Sequence, residues 1–310
     1  MYGVTPELMR MEKNVDAMGS TFSIVLYGRD WLNMESAVDA AFEEVHRLER
    51  MLTVHRPESE CSEVNRHAAQ GAFKLSAEFF QLLYRCLEYS RQSEGAFDIS
   101  VGPLIKAWGF HKGTGRRPDD KEVKAALAIV GHRHIHLDPA ARTVRFDCAG
   151  MEINLGGIGK GYAVDRMASI LKRRGFDTAL IVGSGSSIYG LGTPPGEANG
   201  WPIDIRDPRD SRKLAASVLL KDISISTSGS YEKSFWADGR TYSHILDPRT
   251  GYPAQGVLSV SVVAPRALDS EAWTKPCFVL GRQWAAGYGP EESRIFYCED
   301  RPDAAFEWLR

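Results

Sequence analysis

No apolar run in this 310-residue chain approaches the ~18 residues that a membrane-spanning helix needs. Charge of one sign is missing as well. Thirty-eight Lys and Arg stand against 40 Asp and Glu, a net of −2, whereas a nucleic-acid or anionic membrane partner calls for a basic excess. Cysteine is scarce: Cys61, Cys86, Cys148, Cys277 and Cys298 are odd in number and form no C-x-x-C pair. That argues against a disulfide framework and a zinc site, and for reduced, mostly buried thiols. Met1 to Lys13 has no apolar h-region and no lipidation cysteine, so no signal peptide is read there. The expected location is the cytoplasm, or an exported one with the signal segment outside this sequence. There are no internal repeats and no low-complexity linkers. What is present is globular in type, 43% apolar and 25% charged, with enough chain to bury a core without covalent staples.

Periodicity places the elements. Val38, Ala41, Phe42, Val45, Leu48 and Leu52 recur at helical spacing and predict a helix over Asn33 to Leu52. Phe79, Phe80, Leu83 and Leu87 predict a second over Ser76 to Gln92, with Ser76 as N-cap. A third runs from Tyr162 to Arg174 and stops at Gly175. Strands are expected over Ser20 to Tyr27, His132 to Leu137, Thr178 to Val182 and Leu258 to Ala264. Strand–helix–strand units do not repeat regularly, so the fold class is α+β rather than a doubly wound parallel sheet.

Three segments could carry chemistry. Ile153-Asn154-Leu155-Gly156-Gly157-Ile158-Gly159-Lys160-Gly161 reads as a short strand, a glycine-rich turn and the start of a helix. Backbone amides, a helix N-terminus and a lysine together make a phosphate site, although neither the G-x-x-x-x-G-K-[ST] nor the G-x-G-x-x-G frame fits. The residues alone also allow a plain tight turn with a surface lysine. Gly183-Ser184-Gly185-Ser186-Ser187 is a second small-residue turn, open to the same two readings. Ser226 to Tyr231 and Tyr242 to Pro253 are hydroxyl-rich and flank His244, Asp247 and Arg249. That set could hold a general base and bind phosphate, or be a turn beside a core histidine. His132, His134 and His136 alternate, but positions four apart on a strand lie ~13 Å apart and cannot share a metal ion. Trp108 and Phe110 could stack on a planar ligand or belong to the core.

Taken in order, these segments resemble the FAD:protein FMN transferase (ApbE) family, from Asp16-Ala17-Met18-Gly19-Ser20-Thr21-Phe22 to Phe278-Val279-Leu280-Gly281. Ser62-Glu63-Val64-Asn65 looks like a shortened S-E-[LIV]-x-x-[IL]-N. Gly95 to Leu104 with Trp108-Gly109-Phe110 is similar to G-A-F-D-x-[ST]-V-x-P-L…W-G-F. Leu155 to Asp165 is similar to L-G-G-I-A-K-G-Y-A-V-D, Thr227 to Tyr231 to T-S-G-x-Y, and His244 to Pro253 to H-I-[ILM]-[DN]-P-x-T-G-Y-P. The resemblance implies mixed sheets with packed helices in a single unit over 1–310, residues 1–12 being a flexible N-terminal segment. It implies an enzyme that binds FAD, cleaves its diphosphate and attaches FMN to a Thr or Ser hydroxyl of an acceptor flavoprotein subunit, releasing AMP. It gives His244 the role of catalytic base. It places Met18, Gly19, Trp108, Gly156, Gly157, Gly159, Lys160, Asp165, Ser184, Ser186, Thr227, Ser228, Gly229, Tyr231, Asp247, Thr250 and Lys275 around the flavin nucleotide. Magnesium would be held by Glu271 and the backbone carbonyl of Gly159.

Several positions depart from the family pattern, beginning with Gly159, which stands for the Ala of L-G-G-I-A-K-G. Glu271 stands for an Asp and Lys275 for a Thr that the family uses as magnesium ligands. Asn154 stands where Asp is usual, and Gly183 to Ser187 replaces a G-G-[DN] turn. An ammonium is donor-only and cannot ligate a metal. Lys275 is therefore expected to pair with Glu271, four residues before it, and to supply part of the missing ion's charge, while Pro276 disturbs the helix that carries both. Three functions stay open at this point: FMN transfer, FAD or nucleotide binding without transfer, and FAD hydrolysis to FMN and AMP.

Overall fold

The computed structural model describes residues 7–289 and 292–309, without the side chains of residues 211 and 288. In chain order the elements are β1 (Met9–Ala17), β2 (Ser20–Gly28), α1 (Trp31–Leu52), α2 (Glu60–His67), β3 (Phe73–Lys74), α3 (Ala77–Gln92), α4 (Gly102–Ala107), α5 (Asp120–Leu127), β4 (Ile135–Asp138), β5 (Thr143–Phe146) and α6 (Gly159–Arg173). They continue with β6 (Ala179–Gly183), β7 (Ser187–Leu191), β8 (Trp201–Asp207), β9 (Asp210–Leu220), β10 (Ile223–Gly229), β11 (Ser234–Ala237), β12 (Arg240–Ser243), β13 (Val257–Ala264), α7 (Ala267–Tyr288), β14 (Arg294–Glu299) and β15 (Glu307–Trp308). The expected α+β class is what is found.

The central sheet runs β1-β2-β6-β7-β10-β13-β14-β15, and every neighbouring pair in it is antiparallel. On one side α6 packs against both α1 and α7, and all three lie on the strands. Their apolar stripes, Val38, Val45 and Leu48 from α1, Val164, Met167 and Leu171 from α6, and Phe278 from α7, are fully buried with Ile24, Ile181 and Val260 of the sheet. On the other side the β8–β9 hairpin covers Ile225, Val263 and Phe296 with Ile205, Val218 and Leu220. A third cluster joins α4 and α5 to β12 around Trp108 and Tyr242. The helices begin where the sequence places caps: Asp30 accepts from the Asn33 amide at 3.1 Å, Ser76 from Phe79 at 3.2 Å, and Asp119 with Glu122 forms a capping box.

One seam of this core is polar. Ser224 and Ser226 of β10 both meet Ser270 of α7, at 3.0 and 2.8 Å, and Ser226 also meets Ser187 at 3.1 Å. Ser228 meets Thr274 of α7 at 2.8 Å, and Thr227 meets Ser261 at 2.8 Å. A buried hydroxyl left unpaired costs about 1–3 kcal/mol, so the pairing is what makes this serine-rich strand tolerable inside.

Four expectations need correction. Met9 to Glu12 are paired in β1 with Gly28 to Val25, so a flexible segment cannot extend to residue 12; residues 1–6 lie outside the described residues. Ile153 to Leu155 do not form a strand; Glu152 makes an isolated bridge to Val101 and the chain turns directly into α6. His132 to His134 form a single 3₁₀ turn, the His132 amide donating to Asp98 Oδ2 at 2.6 Å, and β4 starts only at Ile135. Pro276 leaves α7 helical around Glu271 and Lys275; the backbone departs from helical angles at Gly281 (φ 81°, ψ −176°). The thiols match expectation. All five are free, and Cys61, Cys86, Cys277 and Cys298 are buried.

Candidate active site

A cavity of about 440 Å³ opens where the start of α6, the end of β10, the loop after β12 and α7 converge. That volume suits a small-molecule site. Its wall includes Asn154, Gly156, Gly157 and Lys160 from the glycine-rich turn, Ser186, Thr227 and Ser228 from strand ends, His244 to Leu246, and Glu271 and Lys275 from α7. Phe110 and His111 close one side.

The turn is shaped by what lies beneath it. Asn154 Oδ1 accepts the Gly156 amide at 2.9 Å, curling the chain before α6 begins. The first turn of α6 carries no capping side chain of its own. One of its amides, Gly161 N–H, is taken by Glu271 Oε2 of α7 at 2.5 Å. A Cβ at Gly161 would stand 2.2 Å from the Ala267 carbonyl oxygen; only glycine allows α6 and α7 to approach this closely. The reciprocal bond is made by Asp165 of α6, which accepts the Ala267 and Leu268 amides at 2.7 and 2.9 Å and so caps α7. Burial pushes the Asp165 carboxyl up to about 6 against the pull of those two amides.

His244 is held by the backbone of Lys233, across the β11–β12 hairpin. Its amide donates to the Lys233 carbonyl at 2.9 Å, and Nδ1 lies 3.2 Å from the same oxygen. A carbonyl can only accept, so this contact assigns the proton to Nδ1 and leaves Nε2 as an acceptor. Desolvation pushes the imidazole down to about 4, and the charges of Lys275, Lys233 and Lys160 push the same way, against the bond to Lys233. At neutral pH the ring is uncharged and able to take a proton. Phe110 sets its edge against the ring at 6.5 Å.

Lys275 is half-buried, with its stem along the turn; a Cβ at Gly157 would lie 3.5 Å from its Cε. Its Nζ donates to the Glu271 backbone carbonyl at 3.0 Å, not to the carboxylate as the spacing suggested. The cation nearest that carboxylate is Lys160, 3.7 Å from Oε1. Desolvation lowers Lys275 to about 8, with Glu271 opposing and Lys160 assisting.

This donor set does not fit magnesium. The ion takes near-octahedral oxygen ligands at ~2.0–2.1 Å. Here Glu271 offers one carboxylate already bound to an amide and facing an ammonium, and a second ammonium stands at the position that would complete the set. Among the described residues no group of three or more His, Cys, Asp or Glu could hold a metal.

Of the residues singled out from sequence, Gly156, Gly157, Lys160, Ser186, Thr227, Ser228, His244, Glu271 and Lys275 line one cavity. Others have different work. Met18 and Gly19 form the β1–β2 turn at φ 53° and 69°. Trp108 is fully buried, its Nε1 donating to the Gly251 carbonyl at 2.8 Å, so it is core rather than a stacking platform. Gly159 begins α6, its amide donating to the Leu155 carbonyl. Asp165 is a helix cap. Asp247 binds the Arg249 amide and guanidinium at 2.9 Å, and Thr250 sits in the same turn. Ser184 is exposed at the tip of the β6–β7 turn, Gly229 ends β10, and Tyr231 packs over Gly229. Sequence reading missed His55, His111, Glu232 and Lys233. His111 directly follows Trp108-Gly109-Phe110, and Glu232 and Lys233 directly follow Thr227 to Tyr231, just past the motif positions; His55 has no motif beside it.

Comparison with known proteins agrees with this geometry. The ApbE family profile matches residues 18–292. An FAD:protein FMN transferase of Klebsiella pneumoniae (strain 342) is 35% identical over 85% of this chain and 80% of its own length. One of Treponema pallidum (strain Nichols) is 36% identical over 79% and 72%. Among solved structures, the ApbE protein of Thermotoga maritima superposes with a TM-score of 0.88 at 28% identity, covering 97% of both chains. The flavin transferase ApbE of Vibrio cholerae gives 0.84 at 26%, with the same coverage. The chain belongs to the ApbE family.

Proposed function

We propose that this chain is an FAD:protein FMN transferase working as one unit. It binds FAD in the cavity, breaks the diphosphate and joins FMN to a Ser or Thr hydroxyl of an acceptor protein, releasing AMP. The observation that carries the reading is the meeting of an uncharged imidazole, a glycine-rich turn with an adjacent lysine, and strand-end hydroxyls on one wall. The family relatives named above are transferases of this kind.

Phosphoryl transfer depends on positioning and charge neutralisation more than on covalent help. Amides of the turn at Gly156 and Gly157 and the ammonium of Lys160 face the diphosphate. The acceptor oxygen attacks the phosphorus of the FMN half while its proton passes to Nε2 of His244. The bond from that phosphorus to the bridging oxygen breaks, and the oxygen leaves with AMP. Phe110, beside His244, offers an apolar ring for the flavin end. Magnesium, where a relative uses it, supplies charge to this step; no residue here is assigned to hold it.

The test is to incubate the protein with FAD and candidate acceptors, following AMP and FMN by chromatography and the acceptor by mass. FMN-modified acceptor with stoichiometric AMP supports the reading. AMP and free FMN with an unmodified acceptor would make the chain a hydrolase, and FAD binding without AMP would make it a binding protein.

A further inference from the structure

Two ammonium groups end at the glycine-rich turn. Lys160 comes from the first turn of α6 and Lys275 from α7, and both line the cavity beside Gly156 and Gly157. The carboxylate between them, Glu271, is committed: one oxygen accepts the Gly161 amide and the other faces Lys160. Of the other acids on the wall, Asp98 is engaged by the Ser100 amide and hydroxyl and the His132 amide, and Glu232 lies in the loop that also carries Lys233. Among the described residues Lys275 makes one hydrogen bond, to the Glu271 backbone carbonyl. An ammonium has three donors, so two remain for a ligand. A divalent cation here would find one carboxylate without a bond of its own among the described residues, the exposed Glu232, and would face both ammonium groups.

Resting on the reading that FAD is the substrate, we propose that Lys275, assisted by Lys160, is the resident cation of this site: its ammonium stands against the diphosphate where a divalent ion would, and the chain binds and cleaves its dinucleotide without a metal. As the bridging oxygen departs with AMP, the negative charge that develops on it faces Lys275, and no further reactant is needed to balance the step. Charge-assisted bonds from an ammonium to phosphate oxygens are strong enough for this role. They also need no ion to be recruited from solution.

The experiment measures ADP and FAD binding by titration calorimetry on the full chain, with excess EDTA and then with added magnesium. For the unaltered protein, affinities should agree within about twofold between the two conditions. Lys275→Met should weaken ADP binding by about tenfold or more in EDTA, the worth of one charge-assisted bond. Lys275→Arg, which keeps the charge, should recover part of it. Lys275→Thr should bind ADP more tightly once magnesium is added. Unaltered protein that binds ADP only with magnesium overturns the proposal, as does Lys275→Met binding ADP like the parent. If Lys275→Met does not fold, the chelator comparison on the unaltered protein decides alone. FMN transfer that occurs only with magnesium leaves the function standing and removes this inference. Metal-free, Lys275-dependent ADP binding without any flavin transfer does the reverse.

Discussion

The two small-residue turns, Gly156 to Gly161 and Gly183 to Ser187, look alike in composition and behave differently. In the second, glycine answers to the backbone. Gly185 has φ 66° with open space around it, and Ser184 at φ 58° tolerates the same left-handed region while remaining exposed. In the first, glycine answers to neighbours. Gly161 has nothing unusual in φ but no room for a methyl group, because α7 crosses there. One turn closes a hairpin and lends only Ser186 to the cavity; the other joins two helices and a binding wall. Glycine count alone does not separate these demands, and the identity of the touching atom does.

Substitutions can sharpen that contrast. The largest effect should come from across the cavity. His244→Ala leaves both turns in place and should lower FMN transfer by about 10²–10⁴ while FAD affinity stays within about tenfold, because a general base acts on rate rather than ground-state binding. Transfer at the parental rate would return His244 to the role of a packing residue. Gly161→Ala comes next. Driving a methyl group into the Ala267 carbonyl should cost on the order of 3 kcal/mol, visible in urea unfolding, with FAD affinity falling too. A variant as stable as the parent would mean that α6 and α7 are not locked at this point.

The pH dependence follows in size. His244 titrates at 6.5 when unfolded and at about 4 here, so the unfolded chain takes the proton first. Its contribution to stability is complete above 6.5 and is lost as pH falls towards 4. Asp165 works in the opposite sense over part of the same range. Its carboxyl is raised from 3.8 to about 6, so its contribution declines as pH rises between those values. Comparing the parent with His244→Gln from pH 4 to 7 isolates the histidine, and the variant should lose the acid-side decline. Asp165→Ala should cost about 1–2 kcal/mol, the worth of a helix cap, and loosen the start of α7. Smallest is Gly185→Ala, about 1 kcal/mol for a left-handed position, with FAD binding unchanged. If Gly185→Ala weakened binding as much as Gly161→Ala, the two turns would be equivalent after all.

Much of the site was legible because its ligand-facing residues sit in short segments of unusual composition. Gly156 to Lys160 and His244 announce chemistry locally, and the family resemblance joins them. The charged residues that the structure moves elsewhere, Asp165 and Asp247, carry no such local sign. A carboxylate binding backbone amides reads the same in sequence as one binding a ligand, since its partners, Ala267 and Leu268 in one case, are far along the chain or have no side-chain signature. Lys233 and His111 reach the cavity only through the way β11–β12 and α4 fold over it. The three helices predicted from apolar spacing, α1, α3 and α6, were read to within a few residues, while α2, α4, α5 and α7 were not predicted from it. Of the strand predicted over His132 to Leu137 only the start was misplaced: His132 to His134 form a 3₁₀ turn, and His136 lies in β4 as expected.

The hydroxyl seam between β10 and α7 fixes an angle. A helix turns by about 100° per residue, and an apolar face packed on a sheet resists rotation only through shape. Ser270 and Thr274 instead meet Ser224, Ser226 and Ser228 at set distances and directions. These two α7 positions flank Glu271 and precede Lys275, so the azimuth of the helix, and with it the bearing of both side chains on the turn, is registered by hydrogen bonds in the dry interior. Aim, more than adhesion, is what this strand of serines contributes.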